Sequence, residues 1–311
     1  MTPDWLQDDL KRIEDLLLAT AGSSPHPMVS EASTHLIKAG GKRVRPTLVM
    51  LAARAGETGV PSTDLAAAAI ELVHLATLYH DDVIDETETR RGAPTVHSKW
   101  GTEVAVLSGD YLFALGCGLG ADAGGEVPGI LARAIAQVCE GQIIETGSLG
   151  DPERSIEQYL HTIERKTAAL FRAACELGAA TAGAPPRERA ALVVYGESLG
   201  LAFQVVDDLL DLVGDPQVTG KVPGTDLREG VFTLPVLLGR DRDDDLRRML
   251  VDGERDLEPW LAGLRRAGAL EETQRRAEAY AIRARSALDV FDESPWRAEL
   301  LAMVDRVMGQ L

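Results

Sequence analysis

Apolar residues recur at spacings of three and four along almost the whole chain, while alternation at period two is scarce. Such spacing marks one face of an α-helix. Ala, Leu, Glu and Arg dominate, and all four favour helix. Helices are expected at about 4–20, 28–39, 44–56, 63–88, 101–122, 127–147, 155–182, 186–213, 230–239, 243–251, 256–267, 269–290 and 295–309. Gly/Pro stretches separate them: AGGKR, RRGAP, ADAGGEVPG, AGAPP and VGDPQVTGKVPGTD. No linker is long enough to suggest a boundary, and no fixed-period repeat is visible. The expectation is an all-α, single-domain many-helix bundle over residues 1–311, larger than a four-helix bundle.

Composition limits what such a bundle can bind. Apolar residues make up 45% and aromatics only 5%, so leucine, alanine and valine must fill the core. Net charge is −17, which argues against nucleic acid and against docking on anionic lipid. An anionic ligand would therefore need metal ions or a local basic cluster. Cys117, Cys139 and Cys175 are scattered and form no CxxC, as expected of reduced thiols in a cytoplasmic protein. The N-terminus MTPDWLQDDLKRIEDLL has no basic start and no apolar h-region, so no signal peptide is expected. The most apolar stretch, residues 65–79, contains Glu71 and His74 and is too short and too polar for a membrane span.

The chemistry is concentrated in two acidic clusters. HDDVIDETETRRG, residues 80–92, ends an apolar helical pattern in five carboxylates. Asp81, Asp82 and Asp85 form DDxxD, and positions i and i+4 share a helix face. Two like charges there repel, and a hard cation reverses the sign of that interaction. Mg²⁺ favours carboxylate oxygens and keeps places open for substrate phosphates. A solvated helix end would look the same, but Asp207, Asp208 and Asp211 repeat the motif in the apolar setting LGLAFQVVDDLLD. Gln204 shares their face. Two such faces could oppose each other across a bundle cavity, as in helical metal sites.

Basic residues answer them. GGKRVRP, residues 40–46, carries Lys42, Arg43 and Arg45 before a helix start. Arg90 and Arg91 follow the first acidic cluster and either neutralise Glu86 and Glu88 or hold phosphate oxygens. Lys166 and Thr167 sit on an otherwise packed helix, and Lys221 in the loop after the second cluster. His74 lies seven residues before Asp81, nearly on the same face; a core histidine is the alternative.

Together these stretches resemble the trans-isoprenyl diphosphate synthase family, the polyprenyl synthetases. The likeness runs in order through GGKRVRP, HLATLYHDDVIDETETRRG, KTA, GLAFQVVDDLLD and GKVPGTDLREG. It implies an isoprenoid-synthase-type bundle with a central cavity, and a homodimer. By the same resemblance, Asp81, Asp85 and Asp207 would bind three Mg²⁺ ions, with Asp82, Asp208 and Asp211 supporting that shell. Lys42, Arg45, His74 and Arg91 would hold isopentenyl diphosphate. Arg90, Lys166 and Lys221 would contact an allylic diphosphate, and Thr167 and Gln204 would lie beside the allylic cation. Of these, Asp81, Asp85, Asp207, Lys166 and Lys221 would carry catalysis. One departure is Val231, where the family often has lysine after EG.

Product length should depend on the helix ending at Asp81. A turn rises about 5.4 Å, close to one isoprene unit, so an aromatic one turn before Asp81 would stop growth. Ala76 and Thr77 stand there, with Val73 and the alanines at 66–69 behind them. A product beyond C20 is expected, such as a quinone side chain, with Leu107, Leu112 and Phe113 as candidates for the floor. The alternatives are a geranylgeranyl diphosphate synthase and a non-catalytic regulatory subunit. A terpene cyclase should lack GGKR, and a regulatory subunit usually loses one acidic cluster; both features are intact.

Overall fold

The structure, a computed structural model, describes residues 3–215 and 222–310. It is built from helices, with one two-stranded ribbon among the described residues. The chain divides into two compact units, Met1–Ile135 with Ala173–Leu192, and Ala136–Arg172 with Val193–Leu311.

The first unit is organised around α4 (Pro61–Ile84). Its alanines 66–69, with Ile70, Leu72, Val73, Leu75 and Ala76, are fully buried. α1 (Asp4–Ala21), α3 (Val44–Ala52) and α6 (Thr102–Ala123) pack around it. α2 (Pro27–Lys38) lies close enough for the Tyr79 hydroxyl of α4 to donate to Ala32 O at 2.6 Å. α4 stops four residues short of the expected 88. Asp85 is its C-cap, and Glu86 then turns left-handed at φ 51°. The acidic run lies at the negative end of the helix dipole, where further helical carboxylates are disfavoured. The chain instead enters a ribbon, β1 (Thr89–Arg90) against β2 (Ala93–Pro94), followed by the short α5 (Val96–Trp100).

α7 (Val127–Gly147) and α10 (Pro186–Val213) have the bounds that the Gly/Pro punctuation predicts. The helix expected at 155–182 is broken. α8 (Ile156–Ile163) opens on a capping box between Ser155 and Gln158. A π-helical turn, Glu164–Ala168, then leads into α9 (Ala169–Thr181). After the second acidic motif comes α11 (Thr225–Glu229), which the sequence reading missed. The helix expected at 230–239 begins at Leu234 because Pro235 suits its first turn, giving α12 (Leu234–Arg242). α13 (Asp244–Val251), α14 (Leu257–Arg266), α15 (Ala269–Ala287) and α16 (Pro295–Met308) complete the second unit.

α6 and α10 are each long and apolar enough, by length and composition alone, to cross a membrane. α10 is mostly a core helix, with Leu192, Tyr195, Leu199, Ala202, Val205 and Val206 buried. α6 is different: Val106 and Leu107 stand exposed on its outer face.

Candidate active site

The first acidic motif occupies the last turn of α4. Asp82 is 1% exposed and accepts from Arg90 Nε at 2.6 Å. Burial raises its pKa, and Arg90 pulls it back. Arg90 therefore answers Asp82, not the surface glutamates. The other carboxylate oxygen, Asp82 Oδ2, is buried with no hydrogen-bond partner among the described residues. Asp81 is half-buried and Asp85 exposed, one turn apart on α4. The last turn of α4 holds no basic residue to offset the dipole.

The basic cluster forms where the loop after α2 meets α4. Arg43 adopts a left-handed conformation at φ 45°, a strained one for a side chain of this size. It is held by donating to both Glu14 carboxylate oxygens at 2.6 and 2.8 Å, to Ile37 O at 3.0 Å and to Glu71 Oε1 at 3.3 Å. Arg91, also left-handed at φ 54°, donates to Leu36 O and to Gly40 O. Gly41 leaves room for this guanidinium, since a Cβ there would stand 2.7 Å from Arg91 Nη1 and displace it.

Glu71 lies within this cluster, 2% exposed on the apolar α4. Burial raises its pKa, while Arg45, Arg43 and Arg91 lower it. Arg45 is pushed down to about 10 by burial and by Arg91. Arg91 is lowered too, chiefly by burial and then by Arg43 and Arg90. His74 is held well below its ordinary range by burial and then by Arg45, Arg91, Arg90 and Arg43. It is therefore neutral, so a role in anion binding must run through its N–H. Lys42 projects into solvent at the edge. Arg43, Arg45 and Arg91 thus crowd around Glu71, with Glu14 on the outer side of Arg43, and an anion would ease their mutual repulsion.

In the second unit the functional residues converge on the π turn. Lys166 and Thr167 stand on it. Lys166 Nζ pairs with Glu145 of α7. Thr167 Oγ1 donates to Gln204 Oε1 at 2.7 Å, and Gln204 Nε2 donates to Asp208 Oδ1 at 2.9 Å. Tyr159 of α8, 2% exposed, donates its hydroxyl to Asp208 Oδ2. Burial pushes Asp208 up to about 7 against the pull of Tyr159 and Gln204, with Asp207 and Glu145 adding to the rise. Asp211 accepts from the N–H groups of Thr225 and Asp226 at 3.2 and 3.3 Å, which ties α11 to the end of α10. Asp207 is half-buried beside them, and the last turn of α10 again holds no basic residue. Val231, at the place of the familiar lysine, gives its N–H to Asp226 O at 2.8 Å. Lys221 lies outside the described residues.

Two glycines make the π turn possible. A Cβ on Gly141 of α7 would stand 2.4 Å from Lys166 N, and one on Gly200 of α10 would stand 2.7 Å from Ala168 Cα. π turns tend to mark functional sites.

Divalent metal fits both acidic helix ends. Each presents carboxylates at the negative end of a helix dipole whose last turn holds no basic residue, and Asp82 adds a buried oxygen with no hydrogen-bond partner among the described residues. Among the described residues no three His, Cys, Asp or Glu side chains form a ready cage. A cation here would need water or substrate oxygens to complete its shell, as Mg²⁺ does. Sequence reasoning missed Glu14, Glu71, Glu145 and Tyr159 as partners. Glu71 had a signal, a lone carboxylate in the run AAAAIELVHL; the others had none beyond their residue type.

Acidic helix ends, an arginine cluster and a hydroxyl–amide pair on an all-α scaffold suit a protein that handles an anionic ligand. The match to the polyprenyl synthetase profile spans residues 26–256, and the chain belongs to that family, the trans-isoprenyl diphosphate synthases, as a prenyltransferase. Nonaprenyl diphosphate synthase of Mycobacterium tuberculosis is 39% identical, covering 96% of this chain and 91% of that protein. Heptaprenyl diphosphate synthase component 2 of Geobacillus stearothermophilus is 38% identical, covering 92% and 90%. A geranylgeranyl diphosphate synthase of Methanosarcina mazei is 35% identical, covering 90% and 89%. Among solved structures, a decaprenyl diphosphate synthase from Rhodobacter capsulatus superposes with a TM-score of 0.92 at 39% identity over 98% of this chain and 97% of that one. A polyprenyl synthase from Caulobacter crescentus, solved with calcium and isoprenyl diphosphate, gives 0.89 at 36% over 97% and 94%.

Proposed function

We propose that the chain condenses isopentenyl diphosphate with an allylic diphosphate, such as farnesyl or geranylgeranyl diphosphate. The product is a long all-trans polyprenyl diphosphate for a quinone side chain. Three Mg²⁺ ions are the cofactor, and calcium in the Caulobacter structure supports a divalent-metal site. The carboxylates of Asp81, Asp85 and Asp207 would hold them, with Asp82, Asp208 and Asp211 behind. When bound, Mg²⁺ supplies Lewis acidity that stabilises charge on the departing diphosphate.

The chain's own residues do the rest. Arg45 and Arg91, with Lys42 and the neutral imidazole of His74, receive the isopentenyl diphosphate; the crowded positive charge of that cluster supports the assignment. Arg90, Lys166 and Lys221 meet the allylic diphosphate. Thr167 and Gln204 aim oxygen dipoles at the allylic cation, where preorganised dipoles act without reorganisation. The double bond of isopentenyl diphosphate attacks that carbon, and the released diphosphate takes the proton, so no protein base is required.

One observation carries the long product. Ala76 is fully buried one turn before Asp81, and Thr77 beside it folds its hydroxyl back onto His74 O. The nearby aromatic on α4, Tyr79, is turned onto α2 instead. Leu107, one of the candidate floor residues, is 66% exposed on α6, so in a single chain it does not close a buried floor. Leu112 is buried, and Phe113 packs on His80 with ring centroids 5.6 Å apart, so these two remain as floor residues. The exposed apolar face of α6 supports a homodimer; the component 2 relative makes a second kind of subunit the competing partner. Cysteines without disulfides support a cytoplasmic setting.

The test is a product assay with Mg²⁺, labelled isopentenyl diphosphate and farnesyl diphosphate, the lipids being sized by mass spectrometry. Products at C30 or above are expected, and Ala76→Phe should shorten them. A sharp stop at C20 would identify a geranylgeranyl diphosphate synthase. No elongation from any primer would point to a regulatory subunit.

A further inference from the structure

Tyr159 is a buried ionisable side chain that the reaction outlined above does not use. Its ring lies beneath the Arg154 guanidinium, 5.7 Å from centroid to Cζ. Arg154 is itself 2% exposed and cannot swing away, because it donates to Thr162 Oγ1 at 2.9 Å and to Phe232 O at 3.3 Å. The tyrosine hydroxyl is thus delivered to one place, Asp208 Oδ2.

The consequence runs along a chain of three hydrogen bonds. Asp208 accepts a donor on each oxygen: Tyr159 on Oδ2 and Gln204 Nε2 on Oδ1. With Oδ2 occupied by the Tyr159 hydroxyl and Oδ1 accepting, the Gln204 amide turns its nitrogen to Asp208. Gln204 Oε1 then faces Thr167 and takes its hydroxyl proton at 2.7 Å. Thr167 Oγ1 is left with lone pairs alone for anything else it meets. The polarity of Thr167 and Gln204 is therefore set two residues away, and it is the polarity a cation needs.

We propose that Tyr159 is a positioning residue for prenyl transfer, acting through Asp208 and Gln204 to hold Thr167 and Gln204 with their oxygens toward the allylic cation. The inference rests on the reading of Thr167 and Gln204 given under Proposed function. It makes Tyr159 neither a metal ligand nor a proton carrier; its contribution is a hydroxyl held in place by Arg154. Such outer partners commonly change activity by roughly 10- to 100-fold when removed.

The experiment uses the full chain and Tyr159→Phe, which deletes the hydroxyl and keeps the ring. Wild type and variant are assayed with Mg²⁺, farnesyl diphosphate and isopentenyl diphosphate. Both are also melted with and without Mg²⁺ and inorganic diphosphate. The expected result is kcat lower by roughly 10- to 100-fold. KM for isopentenyl diphosphate should stay within about two-fold, because that substrate is assigned to other residues. The melt should show a variant that is folded and still shifted by Mg²⁺ with diphosphate. In a Thr167→Val background the same change should cost less than about three-fold, since the chain is already cut at its far end. Equal cost in both backgrounds would refute the coupling. Activity lost only in proportion to unfolded protein would reduce Tyr159 to a structural role, and a fully active variant would end the proposal while leaving the functional reading intact. A wild-type protein that elongates no primer overturns that reading, and this inference with it.

Discussion

Gly200→Ala adds one methyl group at the point where α10 crosses the π turn. Its Cβ would lie 2.7 Å from Ala168 Cα and 3.1 Å from both Ala168 Cβ and Phe171 Cβ. Carbon atoms rest at about 3.5–4.0 Å, so the two segments must part by about 1 Å. Ala168 follows Thr167 directly, and Gly200 lies one helical turn before Gln204. The 2.7 Å bond between Thr167 and Gln204 therefore stretches toward 3.5 Å, where it no longer qualifies as one. Alanine gains about 1 kcal/mol in helix propensity over glycine, against about 1–3 kcal/mol for overpacking. Net destabilisation is thus between zero and about 2 kcal/mol, a shift of a few degrees in Tm. Activity should fall much further, by about 100-fold, because a misplacement of 1 Å at reacting groups has that effect. Isopentenyl diphosphate incorporation and a circular-dichroism melt on the same sample separate the two. Gly147→Ala, where no atom lies within 4 Å of the added carbon, is the control and should be close to wild type. A Gly200→Ala enzyme with more than about a third of wild-type kcat would refute the claim that the π turn needs this approach.

Asp81→Ala and Asp207→Ala should each remove nearly all turnover, a loss of several kcal/mol in transition-state stabilisation, with the helix content intact by circular dichroism; normal activity in either would remove that aspartate from the metal site. Glu71→Gln takes the buried carboxylate from among Arg43, Arg45 and Arg91 and should cost roughly 3–5 kcal/mol of stability. Inorganic diphosphate should recover part of that loss, so an unchanged melting temperature would mean that the cluster does not depend on Glu71. His74 is neutral in the fold, while an unfolded histidine gains a proton below about pH 6.5. The unfolded chain then binds more protons, so the contribution of His74 to stability is present above that pH and lost as pH falls below it. Urea midpoints from pH 8 to pH 5 should show this slope flatten in His74→Gln, and parallel curves for the two proteins would contradict it.

Some of this was legible in the sequence, for reasons that particular residues make plain. α7 and α10 kept their predicted bounds because Gly/Pro pairs flank them. The π turn was not anticipated, yet its trace is there: buried positions run Tyr159, Ile163, Ala168, a step of four followed by a step of five. Periodicity summed over a long window smooths such a skip into one helix. Arg43 illustrates a different limit. Its left-handed backbone is held by Glu14, 29 residues earlier, and by Glu71, 28 residues later. Nothing local in GGKRVRP announces either partner. The acidic motifs were legible as motifs, but the division of labour within them was not. Asp82, Asp208 and Asp211 each accept from Arg90, from Tyr159 and Gln204, or from the backbone of α11.

The helix ends themselves supply an internal comparison. At the C-terminus of α2, two arginines donate to the last-turn carbonyls, Arg91 to Leu36 O and Arg43 to Ile37 O. That is the arrangement a helix dipole favours. α4 and α10 do the opposite and end in aspartates with no base in the last turn. Each misplaced charge costs some tenths of a kcal/mol up to about 1 kcal/mol, and carboxylates one turn apart add repulsion of similar size. A chain that caps α2 with arginine is not short of cations for α4 and α10; its arginines are spent elsewhere. Positive charge crowds around Arg45 and Arg91, and negative charge at Asp81, Asp85 and Asp207. Mg²⁺ would offset the carboxylates, a diphosphate would offset the arginines, and the two ligands also bind each other. Ligand binding should therefore stabilise this protein more than its buried contacts alone predict, and Tm with Mg²⁺ and diphosphate together should exceed the sum of their separate shifts.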